Sequence, residues 1–86
     1  MKERQFAHFK IVNAGLQPGC TCTDYSVIGE HGALAGTISW DCARRKFCFY
    51  PTDVNTAYEA IELIDIADFI GDAMTEHWMK RRVKND

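Results

Sequence analysis

The sequence has no long hydrophobic run and no excess of charge of either sign. No window approaches 18 consecutive apolar residues, which excludes a membrane-spanning helix. The N-terminus lacks the apolar stretch of a signal peptide, so we expect a cytosolic protein. Ten basic and twelve acidic side chains give a net charge of −2, which is not the footprint of a polybasic nucleic-acid binder.

The four cysteines do not follow a common zinc-ligand spacing. Structural zinc sites usually use C-x2-C pairs, because two intervening residues let both sulfurs face one ion. Here one residue separates the first pair and five separate the second, although a hairpin would bring the second pair together. The alternatives are two disulfides, which need an oxidising compartment, and reduced thiols. We expect reduced thiols and no bound metal at Cys20, Cys22, Cys42 and Cys48.

The sequence contains no convincing catalytic constellation. It lacks the phosphate-binding G-x-x-x-x-G-K, the dinucleotide-binding G-x-G-x-x-G and the zinc-protease H-E-x-x-H motifs. His8, His31 and His77 fall on three different predicted elements, and no motif surrounds any of them. Cys48 lies among aromatic residues on a predicted strand, where burial keeps a thiol unreactive. We therefore predict a protein that is not an enzyme and has no cofactor.

Alternating apolar and polar residues of β-branched and aromatic type predict four strands. They cover residues 9–13, 24–30, 33–40 and 46–50. Pro18 and Gly19 suit the centre of a type II turn, since proline presets φ and glycine supplies a positive φ. Pro51 cannot donate a ladder hydrogen bond and is expected to end the sheet.

A long helix is predicted from about residue 56 to residue 82. Thr56 and Glu59 have the spacing of a capping box at its start. Eight residues at helical spacing form a broad stripe that we expect to lie on the sheet: Ala60, Leu63, Ile64, Ala67, Ile70, Gly71, Met74 and Trp78. Three apolar side chains project instead toward the polar face: Ile61, Phe69 and Met79.

The order of these elements predicts an α+β fold. We expect an antiparallel sheet of three or four strands, with one long C-terminal helix packed on one face. The whole chain, residues 1–86, is expected to form a single small domain. Helical structure only after Pro51 agrees with this prediction, and a helix within residues 33–50 contradicts it.

The predicted helix is acidic along one side. Between Asp53 and Glu76 there are seven acidic residues and no basic one. Five of them recur every three or four positions and form what we call the acidic ridge: Glu62, Asp65, Asp68, Asp72 and Glu76. One interpretation is a solvated helix face whose charges match the helix dipole. The other is a docking surface for a basic partner.

Three consecutive cations mark the turn between the last two predicted strands. They form what we call the basic tip: Arg44, Arg45 and Lys46. The neighbouring residues Trp40, Phe47 and Phe49 complete a composition that can bind single-stranded nucleic acid by stacking and phosphate contact. Core packing accounts for the same aromatic residues, and three charges make a small electrostatic footprint. Nucleic-acid binding is therefore the alternative function.

Phe69 among carboxylates suggests a partner contact or a self-association seam. We expect a homodimer with antiparallel C-terminal helices. In it the cations of one chain meet carboxylates of the other: Lys80, Arg81 and Arg82 face Asp65, Asp68 and Asp72. In that arrangement Phe69→Asp shifts the protein toward monomer without unfolding it.

Several motifs follow one another in the stretch 36–70. They are G-x-I-x-W at 36–40, a basic pair leading into F-C-F-Y-P at 45–51, N-T-A-Y at 55–58 and D-I-A-D-F-I at 65–70. This pattern resembles a family of small, uncharacterised proteins of tailed phages and prophages. It covers about two-fifths of the chain, and the family commonly has a second aromatic residue where Arg44 stands.

The resemblance supplies no agreed activity and no catalytic residue. It implies a small early or accessory phage gene, and such genes often encode stoichiometric binders of host proteins, including restriction and CRISPR-type defence complexes. It therefore implies a host protein or complex as the partner, in the host cytoplasm. We expect a non-enzymatic protein-binding module of anti-restriction or anti-CRISPR type, with the acidic ridge, Phe69 and the basic tip as its surfaces.

Overall fold

The computed structural model describes residues 4–6, 8–16, 22–53, 55 and 57–79, together with the backbone of 80–84. It contains an antiparallel sheet followed by one helix. The elements are β1 (Arg4–Gln5), β2 (Phe9–Leu16), β3 (Thr23–Gly29), β4 (Leu34–Asp41), β5 (Lys46–Pro51) and α1 (Ala60–Lys84). The strands follow one another across the sheet in sequence order, and every neighbouring pair is antiparallel.

The predicted α+β class and the long C-terminal helix are confirmed. The sheet has five strands instead of three or four, because Arg4 and Gln5 pair with β2. A strand of two residues is too short to show alternation in the sequence. β2 also runs past residue 13, through an irregularity in its pairing with β3 where Gly15 adopts a φ of 95°. β5 ends at Pro51, as predicted.

The helix begins at Ala60, later than the predicted start at Thr56. A carboxylate oxygen of Glu62 accepts a hydrogen bond from the backbone N–H of Glu59 at 2.9 Å. This is the backward-reaching half of a capping box, placed three residues further along the chain than the sequence suggested. Thr56 itself, and the predicted turn at 18–19, lie outside the described residues.

One face of the sheet and one face of α1 form the core. Its buried members are Phe9, Ile11, Tyr25, Val27, Ile38, Phe47, Ile66, Phe69 and Ala73. The Tyr25 ring meets Phe69 edge-on with 4.9 Å between ring centroids, and meets Phe47 in the same manner at 6.2 Å. Edge-to-face aromatic pairs stabilise a core beyond the area that they bury. The core therefore joins the middle of the helix to the middle of the sheet through aromatic contacts.

The helix contacts the sheet with a different face from the one predicted. Its inward side chains are Ile66, Phe69, Ile70, Ala73 and Met74. Of the predicted stripe, only Ile70 and Met74 pack against the core, and the other six residues are exposed. The helix is thus rotated about its axis by roughly a quarter turn from the predicted orientation. In this orientation Phe69 meets the Tyr25 ring edge-on at the centre of the core.

Candidate functional site

Phe69 is a core residue and not a surface residue. Its exposed fraction is 0%. The prediction that Phe69 projects among the carboxylates as a partner contact is therefore wrong, and so is the expectation that Phe69→Asp gives a folded monomer. The rotation of the helix is the physical reason, because it turns Phe69 onto Tyr25. Ile61 and Met79 are exposed, as predicted.

The acidic ridge lies on the side of α1 next to β1. The guanidinium group of Arg4, in β1, forms an ion pair with Asp72. Asp68 is exposed and Asp65 is half-buried. Within the described part of the chain neither of these two carboxylates has an ion-pair partner. Asp68 therefore keeps a negative charge that no described ion pair neutralises, whereas Asp65 lies near enough to His8 to raise the pKa of that imidazole.

A pocket of about 300 Å³ lies at the N-terminal end of the helix, where the acidic ridge begins. Its ionisable lining residues are His8, Glu30, His31, Glu59 and Glu62. The pairing of Phe9 with Gly29 brings the start of β2 beside the end of β3, and so unites two histidines that are far apart in sequence. No sequence motif predicts this pocket, because its residues come together only through strand pairing and helix packing. Three carboxylates in one pocket favour a cationic occupant.

His8 is linked to the negative charge of this pocket. Its Nδ1 lies 3.1 Å from a carboxylate oxygen of Glu30. This hydrogen bond is the largest cause of a pKa of His8 that is raised above its usual value; desolvation opposes it, and the charges of Glu30, Glu62 and Asp65 raise the pKa further. Folding therefore shifts the protonation equilibrium of His8 toward the imidazolium form.

The pKa of His8 predicts a pH-dependent contribution to stability. Because the folded-state pKa lies above the unfolded value, the His8–Glu30 pair stabilises the fold fully below about pH 6.5, and this stabilisation is lost as the pH rises through the folded-state pKa. We expect His8→Gln to lower the melting temperature at about pH 5.5 and to leave it nearly unchanged at about pH 9. Glu30→Gln, as the matched variant, should remove the same pH dependence. Equal losses at both pH values would contradict this assignment.

The basic tip stands on a turn that Asp41 organises. A carboxylate oxygen of Asp41 accepts hydrogen bonds from the backbone N–H groups of Ala43 at 2.9 Å and Arg44 at 3.3 Å. The carbonyl of Asp41 accepts another from the N–H of Arg45 at 2.7 Å. Arg45 takes a φ of 55°, in the left-handed region. The three cationic side chains are exposed, with Arg44 within 3.8 Å of the Asp41 carboxylate.

The aromatic residues beside the basic tip pack within the chain. Trp40 stacks on His77 of the helix at 4.4 Å, and Phe47 meets Trp40 edge-on at 5.2 Å. Phe49 meets Tyr58 edge-on at 5.8 Å. Stacking of nucleobases needs exposed ring faces. These three rings are used for packing, which leaves charge as the main basis for a nucleic-acid contact at this hairpin.

Three of the four cysteines, Cys22, Cys42 and Cys48, lie in the described part of the chain, and none of the three forms a disulfide. Cys42 is exposed in the turn, and Cys48 is half-buried in β5 with its sulfur 3.8 Å from the carbonyl oxygen of Lys46. The part of the chain that is described contains no group of three or more His, Cys, Asp or Glu residues able to hold a metal ion. Cys20 lies outside that part, so the absence of zinc stays a prediction. Elemental analysis should find far less than one zinc per chain, and a stoichiometric amount would contradict it.

The helix also carries an uncovered apolar surface on the side away from the acidic ridge. We call it the apolar face: Ala60, Leu63, Ile64, Ala67, Gly71 and Trp78. Its large members Leu63, Ile64 and Trp78 are 48%, 61% and 50% exposed. These residues belong to the stripe that helical periodicity predicted. The prediction placed that stripe against the sheet, whereas in the structure it is exposed. Contiguous apolar surfaces of this kind usually mark an interaction site.

Among the described residues, no helix is long and apolar enough to cross a membrane. Comparison of the chain with known protein families, with curated proteins and with solved structures finds no match. The likeness to small phage proteins therefore rests on the sequence motifs between residues 36 and 70 alone.

Proposed function

We propose that this chain is a non-enzymatic protein-binding module that docks through its acidic ridge onto a basic surface of a host protein or defence complex. The proposal rests on the negative charge of Asp68, an exposed carboxylate with no ion-pair partner among the described residues. The likeness to phage and prophage proteins supports a host partner, and with it a location in the host cytoplasm.

The helix dipole does not account for the whole acidic ridge. Its favourable effect on carboxylates falls off within the first turn of a helix. Glu62 lies in that turn, whereas Asp68 and Asp72 lie two to three turns further along α1. Arg4 pairs with Asp72, but Asp68 lacks a compensating charge in the described part of the chain. A partner's cations would supply that charge.

The pocket beside the ridge adds a feature that fits the same partner. Glu30, Glu59 and Glu62 line a space of about 300 Å³ that is open to solvent. A lysine or arginine side chain has a long apolar stem and a charged end, so it can reach into such a pocket while its backbone stays outside. A basic segment would therefore place one side chain in the pocket and others along the ridge.

The proposal predicts that removing charge from the ridge weakens capture of the partner. Asp65→Asn with Asp68→Asn removes two negative charges without changing side-chain size. Pairs at the edge of an interface contribute about 0.5–1 kcal/mol each, so we expect roughly a tenfold weaker interaction. The measurement is quantitative capture from host lysate by the immobilised chain, followed by titration of the captured protein.

The matched control also removes two negative charges, but from residues outside the acidic ridge. Asp24→Asn with Asp53→Asn alters two carboxylates that lie off the helix, and asparagine keeps the oxygen that accepts hydrogen bonds from Ser39 and from the N–H of Asn55. This control should bind like the unmodified chain. Equal binding by the ridge variant and the control would reject the ridge as the docking surface. Capture mainly of nucleic acid, lost steeply as salt rises and on substitution of the basic tip, would favour the alternative function.

A further inference from the structure

The apolar face of α1 has no cover within the described chain, and its composition points to a specific occupant. From the exposed fractions of its residues we infer that a second copy of this chain covers it, through an antiparallel pairing of the two C-terminal helices centred between Ala67 and Gly71. This seam differs from the one expected around Phe69, which is buried. The inference goes beyond the proposed function and does not depend on it.

Gly71 is the first residue that indicates close approach of a helix from a second chain. Glycine is the least favourable helix-interior residue after proline, so a glycine in the middle of α1 needs a reason. A Cβ atom built at Gly71 would meet no atom of the chain outside its own helix turn within 4 Å, so packing within the chain does not require glycine there. Close approach of another helix does require a small residue, and Ala67 lies one turn away on the same face.

The area of the apolar face suits a small dimer interface. Leu63, Ile64 and Trp78 are each about half exposed. Together with the three small residues of the face they leave roughly 500 Å² of mainly apolar surface on each chain, so two chains would bury about 1,000 Å², near the lower limit for a specific interface. An interface of this size is consistent with a dissociation constant on the order of micromolar.

The antiparallel register is self-complementary in size. With the crossing between Ala67 and Gly71, these two small residues face each other across the twofold axis. The same register sets Trp78 of one copy opposite Ala60 of the other. A large side chain thus meets a small one at each end, and the backbones approach in the middle. No charged residue of the described chain belongs to the face.

The dimer leaves the acidic ridge accessible. The centre of the ridge lies about 140° around the helix axis from the centre of the apolar face. Pairing through the apolar face therefore keeps both ridges in solvent, on opposite outer sides of the helix pair. A dimer would present two copies of the acidic surface to a partner.

The test is sedimentation equilibrium of the purified full chain over a range of concentrations, in the absence of any host component. We expect a reversible dimer of the 9.8 kDa chain. Ile64→Glu places a charge in the apolar face, and should raise the dissociation constant about 100-fold or more. Gly71→Gln should also weaken the dimer, because the chain itself has room for the side chain and only the partner helix does not.

The matched control is Ile61→Glu, the same substitution one turn earlier in the helix. Ile61 and Ile64 are exposed to similar degrees, 52% and 61%, but Ile61 lies on the side of the acidic ridge. Its substitution should leave the dissociation constant within about twofold of the unmodified value. Circular dichroism should show a folded chain in all three variants. A monomeric unmodified chain at about 1 mM, or equal effects of the two isoleucine substitutions, would overturn the inference and assign the apolar face to a foreign partner.

Discussion

Phe69→Ala is expected to lower the free energy of unfolding by about 3–5 kcal/mol, the cost of truncating a fully buried phenylalanine. Phe69 has an exposed fraction of 0% and meets the ring of Tyr25 at 4.9 Å between centroids. For a chain of 86 residues the total stability is of the order of 4–13 kcal/mol, so this loss would remove much of it. Urea denaturation followed by circular dichroism measures the difference.

Two comparisons keep this prediction testable if the alanine variant fails to fold. Phe69→Leu retains most of the apolar volume, and should lose roughly 1–2 kcal/mol. Ile61→Ala changes a half-exposed residue of the same helix, and should change the free energy of unfolding by no more than about 0.5 kcal/mol. Similar small effects at both positions would show that Phe69 is on the surface and that the described helix orientation is wrong.

Gly36→Ala is expected to destabilise the chain by about 2–3 kcal/mol, although the substitution adds only one methyl group. A Cβ atom at this position in β4 would lie 2.5 Å from the ring of Phe49 and 2.6 Å from the backbone oxygen of Tyr50. The ring can move only by disturbing its contact with Tyr58, and the backbone oxygen belongs to the paired strand β5. Glycine is thus required here for space.

Gly29→Ala is the matched control in the neighbouring strand. A Cβ atom at Gly29 would lie 3.7 Å from the backbone oxygen of Ala33, an ordinary contact distance. This substitution should change the free energy of unfolding by no more than about 0.5 kcal/mol. If thermal and urea unfolding show equal effects for the two alanine variants, the close approach of Phe49 to β4 is not a feature of the folded protein.

Local patterns were sufficient to predict β4 and β5. The alternation from Leu34 to Trp40 and from Lys46 to Tyr50 is long enough to define a strand and to divide its side chains between two faces. Pro51 marked the end of the sheet for a local reason, the missing backbone donor. β1 was not predicted, because its two residues form a strand only by pairing with β2.

The orientation of the helix was not predictable from periodicity alone. Apolar residues occur around much of α1, so two overlapping stripes satisfy helical spacing. The stripe that contains Ile66 and Phe69 packs on the sheet, because Phe69 there makes an edge-on contact with the Tyr25 ring at the centre of the core. This packing depends on side chains from distant strands. The other stripe stays exposed and forms the apolar face. Residues that were predicted to pack on the sheet are therefore available for an interface.

The candidate site was predictable only in part. The acidic ridge follows from spacing within one helix, and its carboxylates lie on one side of α1 as expected. The pocket that joins His8 and His31 to Glu62 depends on strand pairing and on helix placement, which the sequence does not encode locally. Composition therefore indicated the charge of the surface but not its shape.

The orientation of α1 turns Phe69 toward the sheet and Ile64 toward solvent or a second helix. Proton–proton nuclear Overhauser effects in the purified chain test it directly, since they report pairs of protons within a few ångströms. We expect strong effects between the ring protons of Phe69 and Tyr25, whose centroids are 4.9 Å apart, and none between the Ile64 methyl groups and the sheet. Effects from Ile64 to Val27 or Ile38, with none from Phe69 to Tyr25, would contradict it.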